Sequence, residues 1–308
     1  MLQVFPDYYS DFRCIAGACR HSCCIGWEID VDEEALSRYA KADGPFGERL
    51  RQNISAGDEP HFILGEDERC PFLNDEGLCD MILQLGEDSL CQICRDHPRF
   101  RNELPGRVET GLGLCCEAAC QLILGKETPT RLEVSGQVEC EDEIVALRNQ
   151  VLPLLQRRQW SIPRRVEEML RFCGAALPES TLAEDAAFLL TLERLEEDWT
   201  RLLHFAAGAE APDTAAFDAY MKDRQTEYEQ LLCYLVYRHM ANAFDEEELA
   251  ARTCFASWAY RFLRRVGAAV FAATGEFTFP QQAELCRLFS AEIEYSQDNM
   301  DTLLDQWR

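Results

Sequence analysis

Four cysteines fall within eleven residues near the start of the chain, Cys14, Cys19, Cys23 and Cys24 in RCIAGACRHSCCIGW. Seven more follow before position 121: Cys70, Cys79, Cys91, Cys94, Cys115, Cys116 and Cys120. Packing gives no reason to set two adjacent cysteines beside two others and then add spaced pairs. Thiolates gathered at this density are the donors that a soft metal centre requires, either Zn²⁺ or an iron–sulfur cluster. One tetrahedral zinc or one [4Fe–4S] cluster takes four thiolates. Spacing alone does not separate the two metals, nor one centre from two. His21, between Cys19 and Cys23, is a further candidate donor, and His97 could orient a ligand or act as a base.

Loops must carry these cysteines. KADGPFGE, LNDEGLC and NELPGRVETGLG are turn chemistry, so residues 1–139 read as an irregular cysteine-rich metal-binding domain, stabilised by its metal. From residue 140 to 308 the texture becomes helical. Leu189, Leu192, Leu195, Trp199, Leu202 and Leu203 recur at helical spacing, which predicts burial of Leu192, Leu195, Trp199 and Leu202. Thr181-Leu-Ala-Glu184 fits a capping box and Ser161-Ile-Pro163 a helix start. Helical runs are predicted over 141–156, 163–173, 215–243, 246–273 and 280–304, with Leu232, Leu235 and Val236 in the core. The fold class is therefore mainly α, an irregular metal-binding N-terminal domain followed by an α-helical bundle. Cys140, Cys173, Cys233, Cys254 and Cys286 stand singly in helical patterns and read as small hydrophobes.

The chain carries 55 acidic and 30 basic side chains, a net charge of −25. Such a surface repels phosphate backbones and disfavours nucleic-acid binding through a basic patch; it suits a partner that presents lysines or arginines. The opening MLQVFPDYYSDF has no secretory pattern, and no apolar run reaches bilayer length, so the expectation is a cytoplasmic protein without a membrane partner. Reduced thiols in that compartment favour metal binding over a disulfide framework.

Three blocks carry a family resemblance: Cys14-x4-Cys19-x3-Cys23-Cys24 with Gly26-Trp27, then CPFLNDEGLCDMILQLGEDSLCQICRDHPR, then Cys115-Cys116-Glu117 opening a short helix. They resemble the CxxCxxCC family of zinc- or iron-chelating proteins and, within it, the flagellin lysine-N-methylases. CYLVYRHMANAF at 233–244 and EYSQDNM at 294–300 resemble the same branch more loosely. The resemblance implies the ligand set Cys14, Cys19, Cys23, Cys24, Cys70, Cys79, Cys94 and Cys115. Cys91 has no family counterpart, and Cys116 stands where proline is usual, which leaves the choice between Cys115 and Cys116 open.

The resemblance also implies an iron–sulfur centre (4Fe–4S, with zinc as the other choice), S-adenosylmethionine as methyl donor, and flagellin surface lysines as substrate. The sequence has neither a strand–GxGxxG–helix unit nor a CxxxCxxC triad, so no familiar donor site is legible. A second function class stays open, a non-enzymatic metal-binding redox or interaction module with an acidic helical surface. His97, Arg99, Tyr237, Arg238 and His239 are polar residues in family-like segments, without assigned roles.

Overall fold

A computed structural model describes residues 1–137, 142–210 and 213–308. Among them the chain is mainly helical, as the sequence predicts, with a small sheet that it does not. Cys140 and the boundary between 139 and 140 lie outside the described residues. Two compact units form: Arg13–Phe100 with Cys116–Ala118, and Met1–Phe12 with Arg101–Cys115 and Ala119–Arg308.

The first unit holds four short helices, α1 (Glu33–Ala40), α2 (Gly44–Gln52), α3 (Asp80–Leu85) and α4 (Gln92–Asp96), joined by turns. Asp32 starts α1 by accepting from the Ala35 N–H at 2.8 Å, while its other oxygen takes the Gln92 N–H at 2.7 Å. One carboxylate thereby caps a helix and holds the segment leading into α4. The core is small: Ile29, Val31, Tyr39, Phe62, Phe72 and Met81, with Cys70 and Cys91 buried among them. Phe62 and Phe72 meet edge to face at 5.0 Å. Cys24, Trp27, Cys79 and Cys94 pack against this core from its rim.

The second unit contains the sheet, β1 (Leu2–Pro6), β2 (Arg99–Leu104), β3 (Arg107–Leu112) and β4 (Leu132–Ser135), in the order β2-β3-β1-β4. Pro105-Gly106 makes the tight turn between β2 and β3, with Gly106 at φ 75°, a conformation that favours glycine. β1 runs parallel to β3, Leu2 opposite Arg107, and antiparallel to β4, Val4 opposite Val134. These pairings join segments about a hundred residues apart, so no local pattern announces them.

The remaining helices are α5 (Glu117–Leu124), α6 (Glu143–Leu155), α7 (Ile162–Phe172), α8 (Leu182–Leu189), α9 (Glu197–Gly208), α10 (Thr214–Tyr220), α11 (Gln225–His239), α12 (Glu246–Thr274), α13 (Phe279–Phe289) and α14 (Gln297–Leu304). The capping box at Thr181 and Glu184 is formed, and Ser161 stands before α7 with Pro163 in its first turn. α12 starts on Asp245, which accepts the Glu248 N–H, and ends at Gly275 in the left-handed region. α11 is buried from Glu227 to His239, so its polar side chains need partners inside the protein.

Three expected helices prove discontinuous. Leu189 to Leu203 spans two helices, α8 and α9, and Leu195 in the connection is 56% exposed, whereas Trp199 and Leu203 are fully buried; Leu192 and Leu202 are half-buried. The connection is fixed from afar, because Glu292 accepts the N–H groups of Leu195 and Glu196 at 2.9 and 2.6 Å. The expected run over 215–243 breaks at Lys222–Arg224, and that over 280–304 contains a π-helical turn at Ser290–Glu294. Leu232, Leu235 and Val236 are buried as expected, as are Cys173, Cys233, Cys254 and Cys286.

Candidate functional site

The thiols of the first unit are held by turns rather than by helix faces. Cys70 N–H donates to the Cys24 carbonyl at 2.8 Å, which ties the first cysteine block to the second. Asn74 organises the following turn, its side-chain oxygen accepting from Glu76 and Leu78 N–H groups, and Leu73 pairs with Cys79 across it. Cys91 precedes α4 and Cys94 lies within it, a C-x2-C pair.

Within two of these pairs each thiol shifts the other in the opposite direction. Cys23 donates to Cys24, and that hydrogen bond, aided by Ser22 and the charge of Arg69 against the cost of burial, lowers the Cys24 thiol to about 7. The same bond pushes Cys23 well up. Cys94 likewise donates to Cys91, which is lowered while Cys94 rises. Burial holds Cys70 protonated, up to about 12, and raises Cys79 too.

The electrostatic neighbours of each thiol sort the predicted ligands. Cys70 faces Cys24 and Cys79, and Cys94 faces Cys24 and Cys70 besides Cys91. Cys19 faces Cys116 and Cys14, and Cys23 faces Cys14 and Cys116 besides Cys24. Glu117 borders the latter group. Its carboxylate accepts from the Arg20 N–H at 3.0 Å, the Arg20 Nε at 3.1 Å and the Cys19 Sγ at 3.8 Å.

Cys115 goes elsewhere. It is buried in the second unit, where the Tyr295 hydroxyl bonds its thiol. Cys120 is buried as well and donates to the Ala283 carbonyl at 3.2 Å. Cys116, which spacing could not separate from Cys115, is the one grouped with Cys14, Cys19 and Cys23.

As the side chains stand, no three His, Cys, Asp or Glu groups among the described residues converge on one metal position. The donor chemistry nonetheless fits a thiophilic centre. Cys24 is held low, at about 7, and a divalent charge nearby would offset the burial that raises Cys70 and Cys79. His97 packs edge to face on Trp27 at 6.4 Å, and burial, with Arg99 nearby, lowers it to about 4, so it stays neutral.

In the second unit the two helical segments singled out by resemblance meet. Tyr234 and Arg238 are one turn apart on α11, and Arg238 Nη1 donates to the Tyr234 hydroxyl at 2.7 Å. That hydroxyl donates to Glu294 Oε2 at 2.9 Å and accepts the Leu114 N–H at 3.2 Å. His239 Nε2 reaches Glu294 Oε1 at 2.5 Å, and the Arg238 guanidinium lies 4.6 Å from the centre of the Tyr295 ring. Burial pushes Glu294 up, but Arg238 and His239 outweigh it and hold the carboxyl down at about 2. Burial keeps His239 below its ordinary range against the pull of Glu294, so a neutral imidazole donates to a carboxylate. Tyr237 points away from this network, donating to the Val4 and Thr110 carbonyls. Glu294, Tyr295 and Tyr234 were visible in the sequence only as parts of family-like segments; nothing local marks them as partners.

Residues 213–308 match the FliB lysine N-methylase C-terminal domain. The chain is 28% identical over 126 residues to the flagellar biosynthetic protein FliU of Salmonella muenchen, covering 39% of this chain and 75% of that protein. It shows the same 28% identity over 126 residues to the lysine-N-methylases of Salmonella choleraesuis and Salmonella typhimurium, where the match spans only 31% of their length. No solved structure matches. The cysteine blocks lie outside residues 213–308, whereas Tyr234, Arg238, His239, Glu294 and Tyr295 lie within them.

Proposed function

We propose that this chain, a member of the flagellin lysine-N-methylase family by its C-terminal domain, methylates surface lysines of flagellin. The observation that carries the reading is the match of residues 213–308, the segment in which Tyr234, Arg238 and His239 close with Glu294 and Tyr295 into one buried network. The flagellin substrate follows from the flagellar names of the relatives, FliB and FliU.

Methyl transfer to a lysine needs a neutral amine held in line with the methyl group at about 3–3.5 Å. The proton must leave first, since free lysine titrates near 10.4. S-adenosylmethionine, proposed on the family alone, supplies the methyl group as an electrophile when bound. The net charge of −25 supports a cationic partner, because it concentrates lysine-bearing surfaces around the protein.

A cysteine-ligated iron–sulfur or zinc centre belongs to the same proposal. Of the ligands the resemblance implies, Cys14, Cys19, Cys23, Cys24, Cys70, Cys79 and Cys94 share the first unit, while Cys115 belongs to the second. These thiols would hold the metal and, through it, the turns of a unit with a small core. No helix among the described residues is long and apolar enough to cross a membrane.

The test is incubation of the metal-loaded protein with methyl-labelled donor and flagellin from the same organism. Label should appear on lysines, and the rate should fall as salt screens the attraction. A folded, metal-loaded protein that neither binds the donor nor labels flagellin would overturn the enzyme reading and leave the metal-binding module.

A further inference from the structure

Against a net charge of −25, the stretch RRQWSIPRR at 157–165 carries four arginines and no acid. It forms one wall of a cavity of about 570 Å³ in the second unit, closed by Lys222 from the turn before α11 and by Thr226 from α11 itself. That volume lies in the range of small-molecule sites, about 300–1,000 Å³.

The charges around the cavity do not cancel. Arg165, only 4% exposed, donates through Nε to the Trp160 carbonyl at 3.0 Å, and through Nη1 to the Leu155 carbonyl at 2.9 Å and Glu229 at 2.7 Å. Its Nη2 has no partner among the described residues, although the side chain lines the cavity. A guanidinium buried to this degree with one amino group unused offers charge and donors to whatever enters. The acids that line the cavity are already engaged, Glu229 by Arg158 and Arg165 and Asp218 by Arg264. Lys222 is exposed and pairs with no carboxylate among the described residues. Ser161 and Thr226 add hydroxyl groups, and Ser161 does not cap α7 with its side chain, which leaves N–H groups of the first turn open. Arg157 and Arg164 hold their guanidinium carbons 4.9 and 4.6 Å from the centre of the Trp160 ring, adding positive charge to the same wall. Glu168, the acid beside them, is bonded by Arg171 at 3.0 Å.

We propose that this cavity binds a small phosphate ester of nucleotide size, with the phosphate on Arg165 Nη2, Lys222 and the two hydroxyls and the organic part against Trp160, Ile162 and Pro163. A phosphate offers oxygens on several sides, which suits a guanidinium, an ammonium and a helix start lining one space. The site goes beyond the methylation reading and does not depend on it. S-adenosylmethionine sets a sulfonium and an ammonium against one carboxylate, so the methyl donor is not the ligand for which these charges are set.

Calorimetric titration of the full chain with ADP and, separately, with inorganic pyrophosphate tests this. ADP should saturate one site, pyrophosphate should bind more weakly for want of an organic part, and both should weaken as salt rises. K222A removes an exposed cation without a partner, so it should weaken ADP about tenfold and leave the unfolding midpoint unchanged. R201A, which removes an exposed arginine of α9, should leave ADP binding as it was and controls for net charge. No saturable ADP binding by the folded chain, unchanged affinity in K222A, or equal loss in K222A and R201A would overturn the proposal. So would S-adenosylmethionine competing with ADP, since that would give the cavity to a cation.

Discussion

Gly113 and Tyr295 are fitted to each other: a Cβ built on Gly113 would stand 2.0 Å from the Tyr295 hydroxyl and 3.0 Å from its ring carbon Cζ. The ring cannot simply swing aside, because Arg238 covers it and Cys115 holds its hydroxyl. Gly113→Ala should therefore cost about 1–3 kcal/mol in urea unfolding, as overpacking does. Combining it with Tyr295→Ala should cost less than the two single changes added together, since the two share one contact. Strict additivity would mean that the fit has no energetic content.

A second prediction concerns the buried charges under the sheet. Arg148 is fully buried and grips Glu109 with two hydrogen bonds, at 2.6 and 2.8 Å, and Arg107 reaches the same carboxylate at 2.6 Å. Glu109→Ala leaves two buried guanidinium groups facing no carboxylate, and should lower stability by roughly 3–5 kcal/mol. Thermal melts of this variant against the parent would read it. A shift of only a degree or two would show the triad to be solvated.

Acid stability should depend on Glu294. Its folded-state pKa lies at about 2, below the ordinary value of 4.5, so the stability it contributes is complete above pH 4.5 and fades as pH falls toward 2. The loss is on the order of 3 kcal/mol. His239, held below its ordinary 6.5, acts in the same direction, since the unfolded chain takes up that proton first. Urea midpoints measured from pH 7 down to 3 should fall steeply in the parent. In Glu294→Gln they should start lower and fall more gently.

Chelation gives a fourth. If the thiols of the first unit hold metal, a strong chelator should open residues 13–100 to protease while α11 and α12 stay protected, because metal binding is folding energy for a unit with so small a core. Cys286→Ser, fully buried beside Gln282 in the second unit, should leave metal content unchanged and cost about 1–2 kcal/mol of packing. Equal loss of both units on chelation would argue against a metal confined to the first.

What the sequence revealed was what is local. The Thr181–Glu184 capping box, the start of α7 and the burial of Leu232 to Val236 each depend on residues within a turn or two. The break between α8 and α9 was hidden for the opposite reason. No glycine or proline marks it, two helices happen to repeat in phase, and the connection is held by Glu292, about a hundred residues away. The sheet was missed because its strands are short and each pairs over a long separation. At the cysteines, composition marked the thiols but not which of Cys115 and Cys116 joins the first unit. Cys115 and Cys116 are neighbours, and only the packing of Tyr295 shows which one turns away.

The π-helical turn at Ser290–Glu294 makes the chain's length there as binding as its composition. A π turn closes over one residue more than an α turn. Winding the same residues as a regular α-helix would turn everything beyond by about 100°. Glu294 would then no longer point at His239, nor Tyr295 at Gly113, although every residue of the network would still be present. This segment works as a vernier: substitutions there change a contact, whereas a change of winding changes the address of all of them.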